Sequence, residues 1–284
     1  MKRVGVIGLG LLGSAIYDRL AAAGYEIAGY DIDPAKTLAK SAEKAARGAN
    51  VVLLSLPHSE AVASVIEAIE PALAAGKLVI DTTTGDPDQA VAFGKRLATR
   101  GVGFIDAAIA GSSQQLRRGE VNVLAGGSDE ALEMALPLFK TFSRSVFHMG
   151  PCGSGARMKL VSNLVLGLNR AVLAEGLAFA EFLGIDASLA LEVLKAGTTS
   201  SRVMDNKGPK MIARDYAPEA RLSQHLKDVR LMLQAAGQSL PLSARHAELL
   251  AHAEELGLGA LDNSAIVEVF RAMGSAKSEG STSY

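Results

Sequence analysis

This sequence has little of what would tie a protein to an oxidising compartment, a metal or a polyanion. Cys152 is its one cysteine, so no intramolecular disulfide can form and a reducing, cytoplasmic setting is expected. Its five histidines, His58, His148, His225, His246 and His252, show no paired zinc spacing and have no cysteine to support them, which leaves no metal-ligand cluster. A formal net charge of -1 gives no electrostatic basis for general binding to nucleic acid or to an anionic membrane. No Gly-x-Ser-x-Gly turn follows a strand-like run, so Ser-His-Asp hydrolysis is unsupported. One apolar stretch, 154–183, has the length of a membrane span, but it carries several charges. The apolar residues after Met1-Lys2-Arg3 are soon cut by glycine, which reads as a strand and not as an export signal. There is no internal repeat and no low-complexity tract. Small molecules are the expected partners.

What is present is ordinary for a globular chain, with 49% hydrophobic and 21% charged residues. At 284 residues the length suits about two domains. Over the first half, strand-like runs at 26–30, 51–55, 78–81, 102–106, 121–125 and 145–148 alternate with helical patterns at 59–73, 87–100 and 129–142. Ser59 and Asp129 are expected to cap the first and last of these helices. Such alternation predicts a parallel doubly wound sheet. After residue 150 the strand signals cease. A long, mostly apolar helix is expected at 154–183, buried on several sides, followed by helices at 187–195, 209–213, 222–236, 241–256 and 264–273. The reading is therefore α/β, with a Rossmann domain over 1–150 and an all-α domain over 151–284, and with 275–284 fraying.

The sharpest signal lies at the start. Gly8-Leu9-Gly10-Leu11-Leu12-Gly13 sits between the apolar run Val4-Gly5-Val6-Ile7 and an apolar-periodic helix. Gly8 permits the tight turn, Gly10 leaves room for a pyrophosphate, and Gly13 lets helix and strand pack closely. The phosphates would meet the unpaired amides of the helix N-terminus. Asp31, ending the next strand, can accept hydrogen bonds from a ribose and would repel a 2′-phosphate, so NAD is preferred over NADP. The bland alternative for Asp31 is a solvated turn residue before Asp33-Pro34.

Lys159 and Asn163 lie four apart on one face of the long helix, among Met158, Leu160, Val161, Leu164 and Val165. A lysine in apolar surroundings is expected to lose pKa and to exchange a proton near neutral pH, with Asn163 holding the substrate oxygen or the amine. Without further information, a lysine snorkelling to the surface is the commoner case. His225-Leu226-Lys227-Asp228 reads by itself as a solvated helix face. The loop at 108–119 follows a strand end, where open α/β sheets bind ligands. Its Gly111, Ser112, Ser113, Gln114, Gln115, Arg117 and Arg118 suit either an anion grip or a polar turn. Arg202 is a similar candidate.

In order along the chain, these stretches resemble the β-hydroxyacid dehydrogenase family, which includes 3-hydroxyisobutyrate dehydrogenases and tartronate semialdehyde reductases. The likeness covers nearly the whole chain. It includes the glycine turn, Leu56-Pro57, Asp81-Thr82-Thr83-Thr84-Gly85-Asp86-Pro87, Gly153-Ser154-Gly155-Ala156-Arg157-Met158-Lys159 with Asn163, Asn206-Lys207-Gly208-Pro209-Lys210-Met211, and His225-Leu226-Lys227-Asp228. The resemblance implies that Lys159 is the general acid/base, that Asn163 orients the reacting group, that Thr83 and Thr84 lie by the nicotinamide half, and that Lys227 and Asp228 shape the pocket there. It also implies a homodimer or homotetramer. Where the family reads D-A-P-V-S-G-G, this chain has Asp106-Ala107-Ala108-Ile109-Ala110-Gly111-Ser112. Ala110 thus replaces a serine, while Gly111 remains to bind a carboxylate through its amide and Ser112 or Ser113 can supply a shifted hydroxyl. Gln115 and Leu116 stand for an expected Gly-Ala, and Arg202 stands where relatives have tryptophan, which suits a small, more strongly anionic substrate. The leading expectation is hydride transfer between NAD(H) and a small 3-hydroxy acid or its semialdehyde. Reduction of an imine or bulkier carbonyl, and NAD binding without turnover, are the alternatives.

Overall fold

A computed structural model describes residues 3–279. The chain divides into two compact units, Met1–Leu160 and Val161–Tyr284.

The first unit holds β1 (Arg3–Ile7), α1 (Leu11–Ala22), β2 (Glu26–Tyr30), α2 (Ala42–Arg47), β3 (Val51–Leu54), α3 (Ser59–Ile69), β4 (Leu78–Asp81), α4 (Pro87–Ala98), β5 (Gly103–Ala110), α5 (Ser113–Arg117), β6 (Val121–Gly126), α6 (Asp129–Phe142), β7 (Ser143–His148) and the start of α7 (Ser154–Phe182). One 3-10 turn, Glu70–Ala72, follows α3. The sheet order is β2-β1-β3-β4-β5-β6-β7. Short runs of Val, Ile and Leu form its central strands because both faces are covered, as a parallel sheet requires. Val4, Leu53, Leu78 and Ile80 pack in one core with α1 and α6 residues, while Ile7, Val52, Leu54 and Val79 pack in another with residues of α2, α3 and α4. The alternation along each strand sends neighbours to opposite faces.

Several local expectations need correction. The sheet is not wholly parallel: β5 and β6 run antiparallel, because only the single-turn α5 separates them and no crossover can be made in so few residues. The segment 108–119 is not one loop. Residues 108–110 complete β5, and Ser112 starts α5 through a capping box with Gln115, a pairing that satisfies amide donors at both positions. The caps of α3 and α6 fall one residue earlier than expected, on His58 and Ser128, whose side chains accept from the amides of Ala61 and Ala131.

The second unit contains the rest of α7, then α8 (Ala187–Ala196), α9 (Arg202–Ala213), α10 (Leu222–Ala235), α11 (Pro241–Glu255), a 3-10 turn at Asn263–Ile266, and α12 (Val267–Glu279). No strand occurs among its described residues. The helix expected at 209–213 begins at Arg202 instead, with Pro209 inside it. Of the tail expected to fray, 275–279 belong to α12 and 280–284 lie outside the described residues. Lys207 donates to both oxygens of Asp262, at 2.9 Å each, and that carboxylate also accepts from the amides of Glu219, Ala220 and Ser264. Burial opposes the charge on Asp262, but Lys207 and Ser264 outweigh it and hold the pKa at about 2.

α7 is by length and composition long and apolar enough to cross a membrane. It is less enclosed than its apolar circumference suggests. Val161, Val165, Leu166, Val172, Phe179 and Phe182 are exposed, whereas Lys159, Asn163 and Arg170 are buried. One face of the helix is thus covered within the chain and another is not.

Candidate active site

In the first unit, the loops after β1, β3 and β4 and the far end of β5 lie at the carboxyl edge of the sheet, the place where open α/β sheets bind ligands. Gly8 sits at φ +92°, a conformation that side chains disfavour. A Cβ on Gly13 would come within 1.8 Å of the Gly8 carbonyl oxygen, so helix and turn touch there, while one on Gly10 would meet nothing within 4 Å. The N-terminus of α1 has no side-chain cap and no acidic residue in its first turn. Its amides are therefore open to an anion. Leu11 projects outward and Leu12 is half-buried. Asp31, after β2, accepts from the amide of Leu9 at 2.6 Å through Oδ2 and from that of Asp33 at 2.9 Å through Oδ1. Its carboxylate is thereby fixed beside the glycine turn. An open cradle at Gly10, uncapped amides and a fixed carboxylate fit the phosphates and adenosine ribose of a dinucleotide.

The next two loops are tied to each other. The amide of Leu56, which precedes Pro57, donates to Thr83 Oγ1 at 3.1 Å. Thr82 Oγ1 donates to the Leu54 carbonyl at 2.8 Å, and the Thr83 amide to Asp81 Oδ1 at 2.9 Å. Thr84 follows, half-buried. Asp81 is enclosed, and desolvation pushes its pKa up to about 7, with the neighbouring Asp106 adding to the rise.

Lys159 is buried, and its ammonium donates to the Ile109 carbonyl at 2.7 Å. Backbone geometry explains why that oxygen can receive it. The Gly103 amide donates to Lys77, just before β4, so the backbone groups of residues 103, 105, 107 and 109 point toward β4. β4 pairs with β5 only as far as Asp106. Ile109 lies beyond that pairing, and Lys159 takes the position a strand would have occupied. Lys159 is not snorkelling to solvent.

Asn163 stands one helical turn further along α7. Within the second unit its Nδ2 donates to Asp228 Oδ2 at 3.1 Å, and Lys227 Nζ lies 2.9 Å from Asp228 Oδ1. His225 and Asp228 are buried in α10, so this stretch is not the solvated face that its composition suggests. Among the remaining candidates, Ala110 ends β5 half-buried and Gly111 is exposed. Ser112 Oγ accepts from Gln115 in the capping box, and Ser113 opens α5. Arg117 pairs with Asp18 and Arg118 with Glu120. Arg202 is exposed at the start of α9.

Two participants were not legible as site residues. The Ile109 carbonyl belongs to the main chain, which carries no residue signature. Asp106 read only as the end of a strand, yet it accepts from the amides of Gly153 at 2.6 Å and Ala156 at 2.7 Å. Beside it Cys152 has its thiol pushed up to about 12 by burial and by Asp106, so it is inert as a nucleophile. Among the described residues no group of His, Cys, Asp and Glu could hold a metal ion.

Residues 3–150 match the family model of the NAD binding domain of 6-phosphogluconate dehydrogenase. Residues 153–270 match that described as NAD-binding of NADP-dependent 3-hydroxyisobutyrate dehydrogenase. A probable 3-hydroxyisobutyrate dehydrogenase-like protein of Arabidopsis thaliana is 31% identical, over 95% of this chain and 93% of its own. The chain belongs to the β-hydroxyacid dehydrogenase family. As a β-hydroxyacid dehydrogenase it is an NAD(P)-dependent oxidoreductase of small hydroxy acids. Glyoxylate/succinic semialdehyde reductase 1 of Arabidopsis thaliana is 28% identical, over 94% of this chain and 98% of its own. The fold is shared with the 3-hydroxyisobutyrate dehydrogenase of Mycobacterium tuberculosis, solved with L-serine, at a TM-score of 0.86 and 24% identity, over 95% of this chain and 99% of that one.

Proposed function

We propose that this β-hydroxyacid dehydrogenase interconverts a small 3-hydroxy acid and its semialdehyde, with NAD(H) as cofactor and Lys159 as general acid/base. The observation that carries the reading is the buried Lys159 ammonium, held on the Ile109 carbonyl beyond the end of β4. Bound nicotinamide supplies or takes the hydride. Lys159 gives a proton to the carbonyl oxygen in reduction, and its neutral amine takes the hydroxyl proton in oxidation. Asn163, anchored on Asp228, orients the reacting oxygen, and Lys227 shapes the same surroundings. Gly8, Leu9, Gly10, Leu11, Leu12 and Gly13 hold the pyrophosphate, Asp31 the ribose, and Leu56, Pro57, Thr83 and Thr84 the nicotinamide half. Ala110 offers no hydroxyl, so the substrate carboxylate is left to the amide of Gly111 and to the hydroxyls of Ser112 and Ser113, with Arg202 as a further cation. The uncovered apolar face of α7 is taken to pair with a second copy, giving a homodimer or homotetramer.

A panel of small hydroxyacids, with cyclic imines as the contrasting class, tests the reading. Wild type should reduce NAD with hydroxyacids, and Lys159→Ala should lose about 10²–10⁴-fold in kcat. Undiminished turnover in that variant removes the acid/base role, and activity confined to imines removes the substrate class.

A further inference from the structure

We propose that Asp106 is a positioning residue of this enzyme: its carboxylate seats the first turn of α7 against β5 and so fixes where the Lys159 ammonium lies. The proposal rests on the acid/base role given to Lys159 above.

Asp106 is buried, and each of its oxygens receives one amide from the beginning of α7, Oδ1 that of Gly153 and Oδ2 that of Ala156. A carboxylate in this place satisfies amides that a helix start leaves without partners and faces the positive end of the helix dipole. Three residues further along the same strand, the Ile109 carbonyl accepts from Lys159, three residues further along the same helix. One contact would leave α7 free to pivot on β5. Two contacts, separated by about 10 Å along the strand, fix both its height and its rotation. The helix itself rises only about 4.5 Å over those three residues, so the lysine side chain spans the rest. A small slip at Asp106 therefore moves the amine off its acceptor.

The seat is shaped to contact. A Cβ on Gly126 would lie 2.7 Å from Asp106 Oδ1, and one on Gly155 would lie 2.4 Å from the Leu124 carbonyl oxygen and 2.8 Å from Asp106 Oδ2. Only glycine at these two positions leaves space for the carboxylate to sit against the start of α7. Burial raises the pKa of Asp106, while the two amides act in the opposite direction, which is the balance of a charge kept dry for a structural purpose.

The test compares Asp106→Asn, Lys159→Ala and Leu138→Ala in the purified enzyme, following NAD reduction by 3-hydroxyisobutyrate or by whichever hydroxyacid turns over fastest. Asparagine offers one acceptor oxygen in place of two, so one seat bond is lost and an amide is left facing an amino group. Folded Asp106→Asn should lose about 10- to 100-fold in kcat, keep KM for NAD within about twofold, and show a displaced ionisation in the pH profile of kcat. Leu138, a residue of α6 buried in the core of the first unit, gives a destabilised control in which kcat and its pH profile stay unchanged. If Asp106→Asn does not fold, Ala156→Pro removes a single seat donor in the first turn of α7, where proline is tolerated, and the same losses are expected. Wild-type kcat and pH profile in the folded seat variant, with Lys159→Ala inactive, overturns the positioning role alone. Wild-type turnover in Lys159→Ala overturns the acid/base role and this proposal with it.

Discussion

Asp31 uses both carboxylate oxygens on backbone amides, at 2.6 Å and 2.9 Å, yet each oxygen retains lone pairs for a ribose hydroxyl. Replacing it by serine removes the charge that strengthens those bonds and that repels a 2′-phosphate. Asp31→Ser should lower kcat/KM for NAD by about 10- to 100-fold and raise it for NADP, measured with both cofactors against one hydroxyacid. Asp81 poses a different question. Its pKa of about 7 in the folded chain stands above the ordinary 3.8, so the folded state binds the extra proton between those limits. Its contribution to stability is therefore full below about pH 4 and lost as pH rises through 7. Asp81→Asn keeps the acceptor for the Thr83 amide and should flatten that part of the Tm-against-pH curve. An unchanged slope would mean that another group titrates there.

At the scale of elements, the second unit depends on charges that cannot be left alone. Asp262 is fully enclosed, and Lys207 from α9 is its cationic partner. Lys207→Met strands a buried carboxylate and should cost about 3–5 kcal/mol in urea unfolding. On α11, His246 packs against His225 with ring centroids 5.2 Å apart, and burial, helped by Arg170, lowers its pKa to about 4. The unfolded chain then binds the extra proton between about pH 4 and 6.5, so this group's share of stability is present above 6.5 and lost on acidification through 4. His246→Leu should lessen the fall in Tm over that window. The same elements show what sequence reading catches. α6 and α10 were legible because apolar residues recur along one face. α2 was missed because six residues hold too little periodicity, and the early start of α9 because Arg202 to Asn206 carry mostly polar side chains.

For the whole molecule, α7 sets the question of assembly. Val172 is 67% exposed and Val165 53%, on a helix that was expected to be buried on several sides. Apolar side chains so placed on one helix suit a protein partner. Val172→Asp is accommodated by the folded chain and should shift the mass seen by light scattering toward one copy. A wild-type mass of one copy would exclude the assembly reading instead.

The sequence by itself determined the strands and the longer helices, the glycine turn with Asp31, and the residue types that can move a proton, because these depend on local spacing and side-chain chemistry. Only the tertiary structure decided that β5 outruns β4, that Ile109 offers its carbonyl there, and that Asp106 holds the start of α7. The last two relations join segments about fifty residues apart through main-chain atoms, which every residue shares, so no pattern of side chains could announce them.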